Sequence, residues 1–598
     1  MFRPTRLLSL GVLALLGSGL DSPAVGRSPE TSDPSFQEVI DVDIVNVEVF
    51  VVDKRGRPMG GLSRGDFQLF VDGKPVSLTN FLAVEDGLRY PESRTVTSPD
   101  QSTVLPPSPR TARGEKAQGS DPLHLVIYVD SLNSRPAGRQ RSLEQLQRFV
   151  RKRLWPGDRV MVVDYNQSLG VRLPFTTDHQ AVEQALEEIL ATPALGMRLD
   201  RVRKETLGLA TQDDCEQAGF VARNYATQTY AQAEASYFAL QSLVGSLAGI
   251  PGVKALLYVN DGLQMRAGEE VFVRLAGLCP GLNQSLMAMP ADYDLSRTLG
   301  RLTAHANSNR VTMFPLEAIG ITTYSSSDIE IGPRTNPMTA QQFDSSVAPT
   351  WAENDPPLNV GGPGTEEAIL DQIFTAGRQG SLTYLARQTG GQAVLNANNL
   401  LPDLNRIDDQ LRNYYSLGFQ PIRQEHSGRI HRLAVRVAQP DLQVVYRQSF
   451  ADLTWSERTA DRLRSLVAYG GNWDNPLDLE VETLGSEKLN HGLYKARLRL
   501  RVPVAKLLLT STVQGRLTGN LELFMTSQDV DGNRSDVKQF SLPVAYSASR
   551  VEEQPDLGFV HNLDVTLRAE SRTLGVALLD QGAATAAFVN HEITPSVD

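Results

Sequence analysis

Histidine, tryptophan and cysteine are scarce in this chain, with 8 His, 4 Trp and 2 Cys among 598 residues, and the scarcities narrow the chemistry it can carry. The histidines are scattered, and no H-E-x-x-H, G-x-S-x-G or Walker-type loop occurs, so no ready-made zinc, acyl-transfer or nucleotide site is written in the sequence. With two cysteines and no C-x-x-C there is neither a redox pair nor a zinc knuckle. The apolar stretch Leu7 to Leu16 is too short to span a bilayer. Positive charge is not in excess either: 58 Lys+Arg against 69 Asp+Glu give a formal net charge of -11 with the signs interspersed. That removes the electrostatic footprint of a nucleic-acid binder.

What is present is length enough for about two to four domains. Residues 1–26 carry a basic start at Arg3 and Arg6, then the apolar stretch, then small and polar residues, which reads as a signal peptide cut after Ala24-Val25-Gly26. The expected compartment is secreted or periplasmic, with no membrane span in the mature chain. An even cysteine count in an exported protein suggests that Cys215 and Cys279 form a disulfide, the alternative being two separate buried thiols.

The most informative stretch is LHLVIYVDSLNSR, Leu123 to Arg135, an almost unbroken apolar run that ends in Asp130 and small polar residues. Such a run reads as a strand buried on both faces. PGVKALLYVNDG repeats the signature, with a strand over Ala255 to Val259 followed by Asn260, Asp261 and Gly262. Two such strands in one parallel sheet bring both carboxylates to the rim where open α/β sheets place ligands. Asp130, Ser134 and Asp261 are therefore the candidate ligands of a hard cation, Mg2+ or Ca2+. The plainer alternative is that they cap strand ends.

At these residues the chain resembles a von Willebrand factor A domain, whose metal-ion-dependent adhesion site begins D-x-S-x-S after the first strand and uses an Asp after a later one. Here the motif is Asp130-Ser131-Leu132-Asn133-Ser134, so Leu132 removes one hydroxyl ligand. The resemblance is closer to the secreted von Willebrand factor A-related family described from acidobacteria. It runs over about residues 36–450 through VNVEVFVVDKRGRPMGGLSRGDFQLFVDGKP, VDSLNSRP, PGVKALLYVNDG, ANSNRVTMFPLEAIG, YLARQTGGQAV and LRNYYSLGFQP. It implies a Rossmann-like domain that binds protein, with a degenerate metal site. The family's site also takes a Thr from a loop before a helix; Thr176, Thr177, Thr227 and Thr229 are available, none in a TxTG-like turn.

Around that core, period-two alternation and turns predict an N-terminal β module at 36–86. Residues 87–121, rich in Ser, Pro, Thr and Arg, read as a flexible linker. The α/β domain is expected over 122–450, with a long loop at 321–364 that breaks its rhythm, and a C-terminal β-sandwich-like domain over 452–598. The fold class is thus α/β, a central Rossmann-like von Willebrand factor A-type domain flanked by two β-sandwich-like modules. Asp213, Asp214 and Glu216 read as a solvated turn before a helix, and Asp529 to Asn533 as a hairpin turn rather than a calcium loop. Tyr414 and Tyr415 read as helix-ending aromatics packed on the sheet, and Gly390 and Gly391 as a helix C-cap.

The function expected is an exported protein-binding or adhesion-type module, not an enzyme, with an unknown protein as its partner, no nucleic acid and no membrane span in the mature chain. The alternatives are a cell-envelope scaffold, or a hydrolase with a site near loop 321–364. Export makes a direct prediction: N-terminal sequencing of the protein from its native host finds a mature chain beginning near residue 27. An intact Met1 on cytoplasmic protein would remove the compartment argument.

Overall fold

The computed structural model describes residues 44–91, 123–210, 214–250, 252–320, 363–421, 426–489, 493–512, 515–529, 534–568 and 571–593. The signal-peptide reading, most of the linker, Asp213, nearly all of loop 321–364 and the turn after Asp529 lie outside them. Two compact units divide the described chain, Val45–Leu453 and a second from Thr454 onward. The architecture is mixed α/β with several sheets.

The first unit is built on a sheet in the order Val311–Glu317, Lys254–Asn260, His124–Asp130, Arg159–Tyr165, Leu169–Thr176. The first four strands run parallel and the edge strand is antiparallel. Every residue of the His124, Lys254 and Val311 strands is buried, the pattern of a sheet covered on both faces. Leu125, Ile127 and Val129 face a core with Leu143, Leu146 and Phe149 of helix Pro136–Arg153, Val182, Leu186 and Ile189 of helix His179–Ala191, and Leu404 and Ile407 of helix Leu401–Arg412. Helices Cys215–Ser246, Ser296–Ser308 and Pro363–Thr389 cover the other face. Asp214 caps helix Cys215–Ser246, its carboxylate accepting the Gln217 N–H at 2.9 Å, which explains the acid there without a ligand. Gly390, in the left-handed region at φ 77°, closes helix Pro363–Thr389.

The strands after Tyr414 do not join the parallel sheet. Tyr414–Phe419 inserts between Val45–Val52 and Leu78–Glu85, within the order Gln443–Tyr446, Val45–Val52, Tyr414–Phe419, Leu78–Glu85, Leu88–Pro91. Ile430–Val437 pairs with Phe67–Val71 in a second antiparallel sheet. The two sheets share a core of Val47, Val49, Phe67, Leu69, Leu417, Phe419, Leu433 and Phe450. Alternation predicts the strands of 36–86; only the pairing shows that residues 45–91 and 414–451 make one layered body. Leu88–Pro91, read above as the start of a linker, is its edge strand. Tyr415 is a strand residue rather than a helix end: its hydroxyl donates to Met59 O and accepts from Leu62 N–H inside this core.

In the second unit, capped by a Thr454–Glu457 box, helix Trp455–Tyr469 places Leu463, Leu466 and Val467 on Phe524, Ala577 and Phe588. Glu480–Lys488, Leu493–Pro503 and Gly558–Arg568 form one antiparallel sheet. Arg516–Asp529 pairs with Lys538–Ser547 and Ser571–Asp580 in another, and the two share a leucine-rich core. A Cβ on Gly575 would lie 2.3 Å from Val467 Cγ2, so the helix can sit this close only over glycine.

Cys215 and Cys279 are joined as a disulfide, Cα atoms 6.0 Å apart, tying the start of helix Cys215–Ser246 to the end of helix Glu269–Leu278. The loop closed spans 64 residues, for which chain entropy assigns about 4 kcal/mol. Thermal unfolding of a Cys215→Ser, Cys279→Ser double variant therefore starts from a lower Tm than the native protein. Equal melting of the two under non-reducing conditions would contradict this.

Candidate functional site: the carboxyl rim of the parallel sheet

The chain enters the sheet at His124–Asp130, builds outward on one side, then returns to lay Lys254–Asn260 on the other. The crevice beyond the carboxyl ends of these two strands is where an open α/β sheet accommodates a ligand. Asp130 and Asp261 both reach this rim, and backbone bonds lock the two loops together. Asp261 N–H donates to Asn133 O at 3.2 Å, and Arg135 N–H donates to the Asp261 carboxylate at 2.9 Å.

Asp130 is fully buried and its carboxylate is already filled. Asn133 donates from its backbone N–H at 3.0 Å and from Nδ2 to both oxygens at 3.0 and 2.9 Å, and Tyr258 donates its hydroxyl at 3.0 Å. Asn133 is held in turn by Gln232 and Ser236 of helix Cys215–Ser246, at 3.0 and 3.1 Å. Burial pushes the Asp130 carboxyl up to about 6, opposed by the Asn133 and Tyr258 hydrogen bonds and helped by nearby Asp164. Ser131 turns away to Asp164 at 2.5 Å and accepts from Arg139 at 2.8 Å.

Asp261 is in a different position. It is 1 % exposed, its Oδ1 has no hydrogen-bond partner, and Arg378 of helix Pro363–Thr389 lies 3.8 Å from its other oxygen. Burial raises the Asp261 carboxyl, while the Arg378 and Arg135 charges pull it down. Arg378 Nε donates to Gly262 O at 3.0 Å. Gly262 has φ 86°, and a Cβ there would lie 2.8 Å from Arg378 O, so only glycine allows the helix to close on this loop.

These contacts test the cation set. Asp130 and Asp261 come to one rim, together with the buried Ser134, whose Oγ is also unpartnered. A hard divalent ion needs several free oxygens, yet Asp130 faces N–H and O–H donors and Asp261 faces a guanidinium. Thr176 lies at the opposite end of the sheet, paired with Val160 whereas Asp130 pairs with Tyr165. Thr227 bonds its own helix at Arg223 O. Thr229 alone of the four lines the rim cavity. Among the described residues no group of three or more His, Cys, Asp or Glu stands where it could hold a metal ion. The residues present do not fit a divalent cation.

The rim opens instead into a cavity of about 330 Å³ between the two loops and helices Gly196–Leu209, Cys215–Ser246 and Pro363–Thr389. Gly196 seats the first of these helices: its N–H bonds Ser134 O at 3.0 Å, and a Cβ would come within 2.6 Å of that oxygen. Below the cavity, Glu270 is held by Gln264 at 2.6 Å and Arg203 at 3.2 Å, and Arg203 also bonds Asp371 at 2.8 Å. The rim residues that sequence reading passed over are Arg135, Arg198, Asp200 and Arg378. Arg378 left one trace, a charged residue inside the small-residue stretch TAGRQGS, a composition suited to close helix packing.

Neither a family model nor a curated protein matches the chain. Among solved structures it is similar to an aerotolerance-related membrane protein from Bacteroides fragilis NCTC 9343, at 12% identity over 48% of this chain and 98% of that one, TM-score 0.22. It is also similar to the conserved hypothetical protein BatB from Bacteroides thetaiotaomicron, at 13% identity, with the same coverages and TM-score 0.21. The third is proximal thread matrix protein 1 from the mussel byssus, at 12% identity over 49% of this chain and 48% of that one, TM-score 0.20. At these scores the likenesses carry no argument for this chain.

The buried Asp130 makes a prediction with a definite sign. Its folded pKa, about 6, lies above the ordinary 3.8, so between these values the native state binds the extra proton and stability falls as pH rises. Asp130→Asn removes this titration and also one of the two oxygens that accept from Asn133 and Tyr258, so its stability relative to the native protein in EDTA, whatever its absolute value, improves as pH rises from about 4 to about 7. Melting curves across this range that stay parallel would refute the buried charge.

Proposed function

We propose that this chain is an exported, non-enzymatic protein-binding module whose parallel-sheet unit is a von Willebrand factor A-like domain, its ligand held in the rim cavity. The reading is carried by the place of that cavity, beyond the carboxyl ends of the two central strands, where the sheet's topology leaves a crevice. Export is supported by the amino-terminal pattern and by the disulfide, which an oxidising compartment preserves. No helix among the described residues is long and apolar enough to cross a membrane. The antiparallel bodies of both units then serve as supports, read as β-sandwich modules.

Gln228 lies exposed on helix Cys215–Ser246 at the cavity wall, so Gln228→Trp obstructs the cavity without touching the core. In a pull-down from the native envelope, the intact protein retains a specific partner and the Gln228→Trp variant loses most of it. Equal retention by both would move the binding surface elsewhere and favour a scaffold.

A further inference from the structure

Five charged side chains line the rim cavity, and the cations Arg135, Arg198 and Arg378 outnumber the acids Asp200 and Asp261 by one. Their pairing is uneven. Arg135 is committed to Asp200 in an ion pair. Arg198 is exposed, and among the described residues its guanidinium donates no hydrogen bond. Arg378 spends only Nε, on Gly262 O; its two terminal nitrogens donate to none of the described residues, and the approach to Asp261 at 3.8 Å is long for a hydrogen bond. Donors of fixed planar geometry left unused at a partly desolvated wall are suited to a carboxylate. Asp261, beside Arg378, does not take up these donors.

We propose that the cavity receives a carboxylate-bearing peptide segment directly on Arg198 and Arg378, with no divalent ion between ligand and protein. The carboxylate bonds the free guanidinium nitrogens. The volume of about 330 Å³ suits one or two residues of a chain, at the small end of ligand pockets. Arg378 thereby fills the electrostatic role that a cation would take beside Asp261. This rests on the rim-binding reading above and adds the ligand class and its independence from metal.

Isothermal titration of the full chain with capped tetrapeptides tests it. One peptide carries a single Asp between neutral residues and a blocked C-terminus, a second carries Asn with a free C-terminal carboxylate, and a third carries Asn with both ends blocked. At least one carboxylate peptide binds, the neutral one does not, and the isotherm is the same in excess EDTA as in Mg2+; which of the first two binds separates a side-chain from a terminal carboxylate. Arg198→Gln, an exposed substitution, weakens binding by about tenfold or more with an unchanged melting curve, as does Arg378→Gln if it folds. Binding only in Mg2+, equal binding of the neutral peptide, or no binding of either carboxylate peptide overturns the proposal. Metal-dependent binding would leave the rim reading standing, and the Gln228→Trp pull-down decides that reading independently.

Discussion

Two carboxylates buried at the ends of neighbouring strands are the constraint around which the central unit is arranged. A carboxylate removed from water must be neutralised, hydrogen-bonded or paired, and this chain uses a different remedy for each. Asp130 is enclosed by the amide of Asn133 and the hydroxyl of Tyr258, both from within the sheet and its first loop. Asp261 draws on Arg378 from a helix 117 positions further along the chain (378 − 261). The first arrangement fixes the loop and the second fixes the helix against it. The cavity between them is the space left when both have closed.

Much of this was legible in sequence wherever burial leaves a continuous signature. A strand covered on both faces must be apolar at every position, so LHLVIYVD and KALLYVN announce a parallel sheet and the rim at its end. The partners of half-buried strands are another matter. Alternation in VNVEVFVV marks it as a strand, but nothing local names YYSLGF as its partner, and Tyr414 and Tyr415 read instead as the end of a helix. Helix Gly196–Leu209 was equally hidden, because eight of its fourteen residues, Gly196, Arg198, Asp200, Arg201, Arg203, Lys204, Glu205 and Gly208, are charged or glycine. It is held by Leu207 packed with Ala222 and Phe272, by the Arg203 ion pairs to Glu270 and Asp371, and by the close approach of Gly196 to the Ser134 loop. Asn133 illustrates the limit most sharply: in the motif it fills a position of no stated preference, yet it is the donor that occupies Asp130.

The likeness to metal-dependent adhesion sites therefore holds for the placement of residues more than for their chemistry. The aspartates and Ser134 stand at the rim, but Leu132 lies buried where a hydroxyl would be needed. The charge balance is met by nitrogen donors, which neither titrate away nor exchange with solvent as an ion does.

The threading of the chain has a kinetic side. Val47 pairs with Leu417, 370 residues later (417 − 47), with the parallel-sheet domain between them. Closing so long a loop is entropically costly and slow compared with local folding. Strand Val45–Val52, although early in the chain, cannot find its central neighbour until Tyr414–Phe419 is available, and prior folding of the intervening domain shortens the loop that must close. The layered β body is thus the last part of the unit to assemble, and a chain cut short before residue 414 leaves its first strands as unpaired edges open to aggregation.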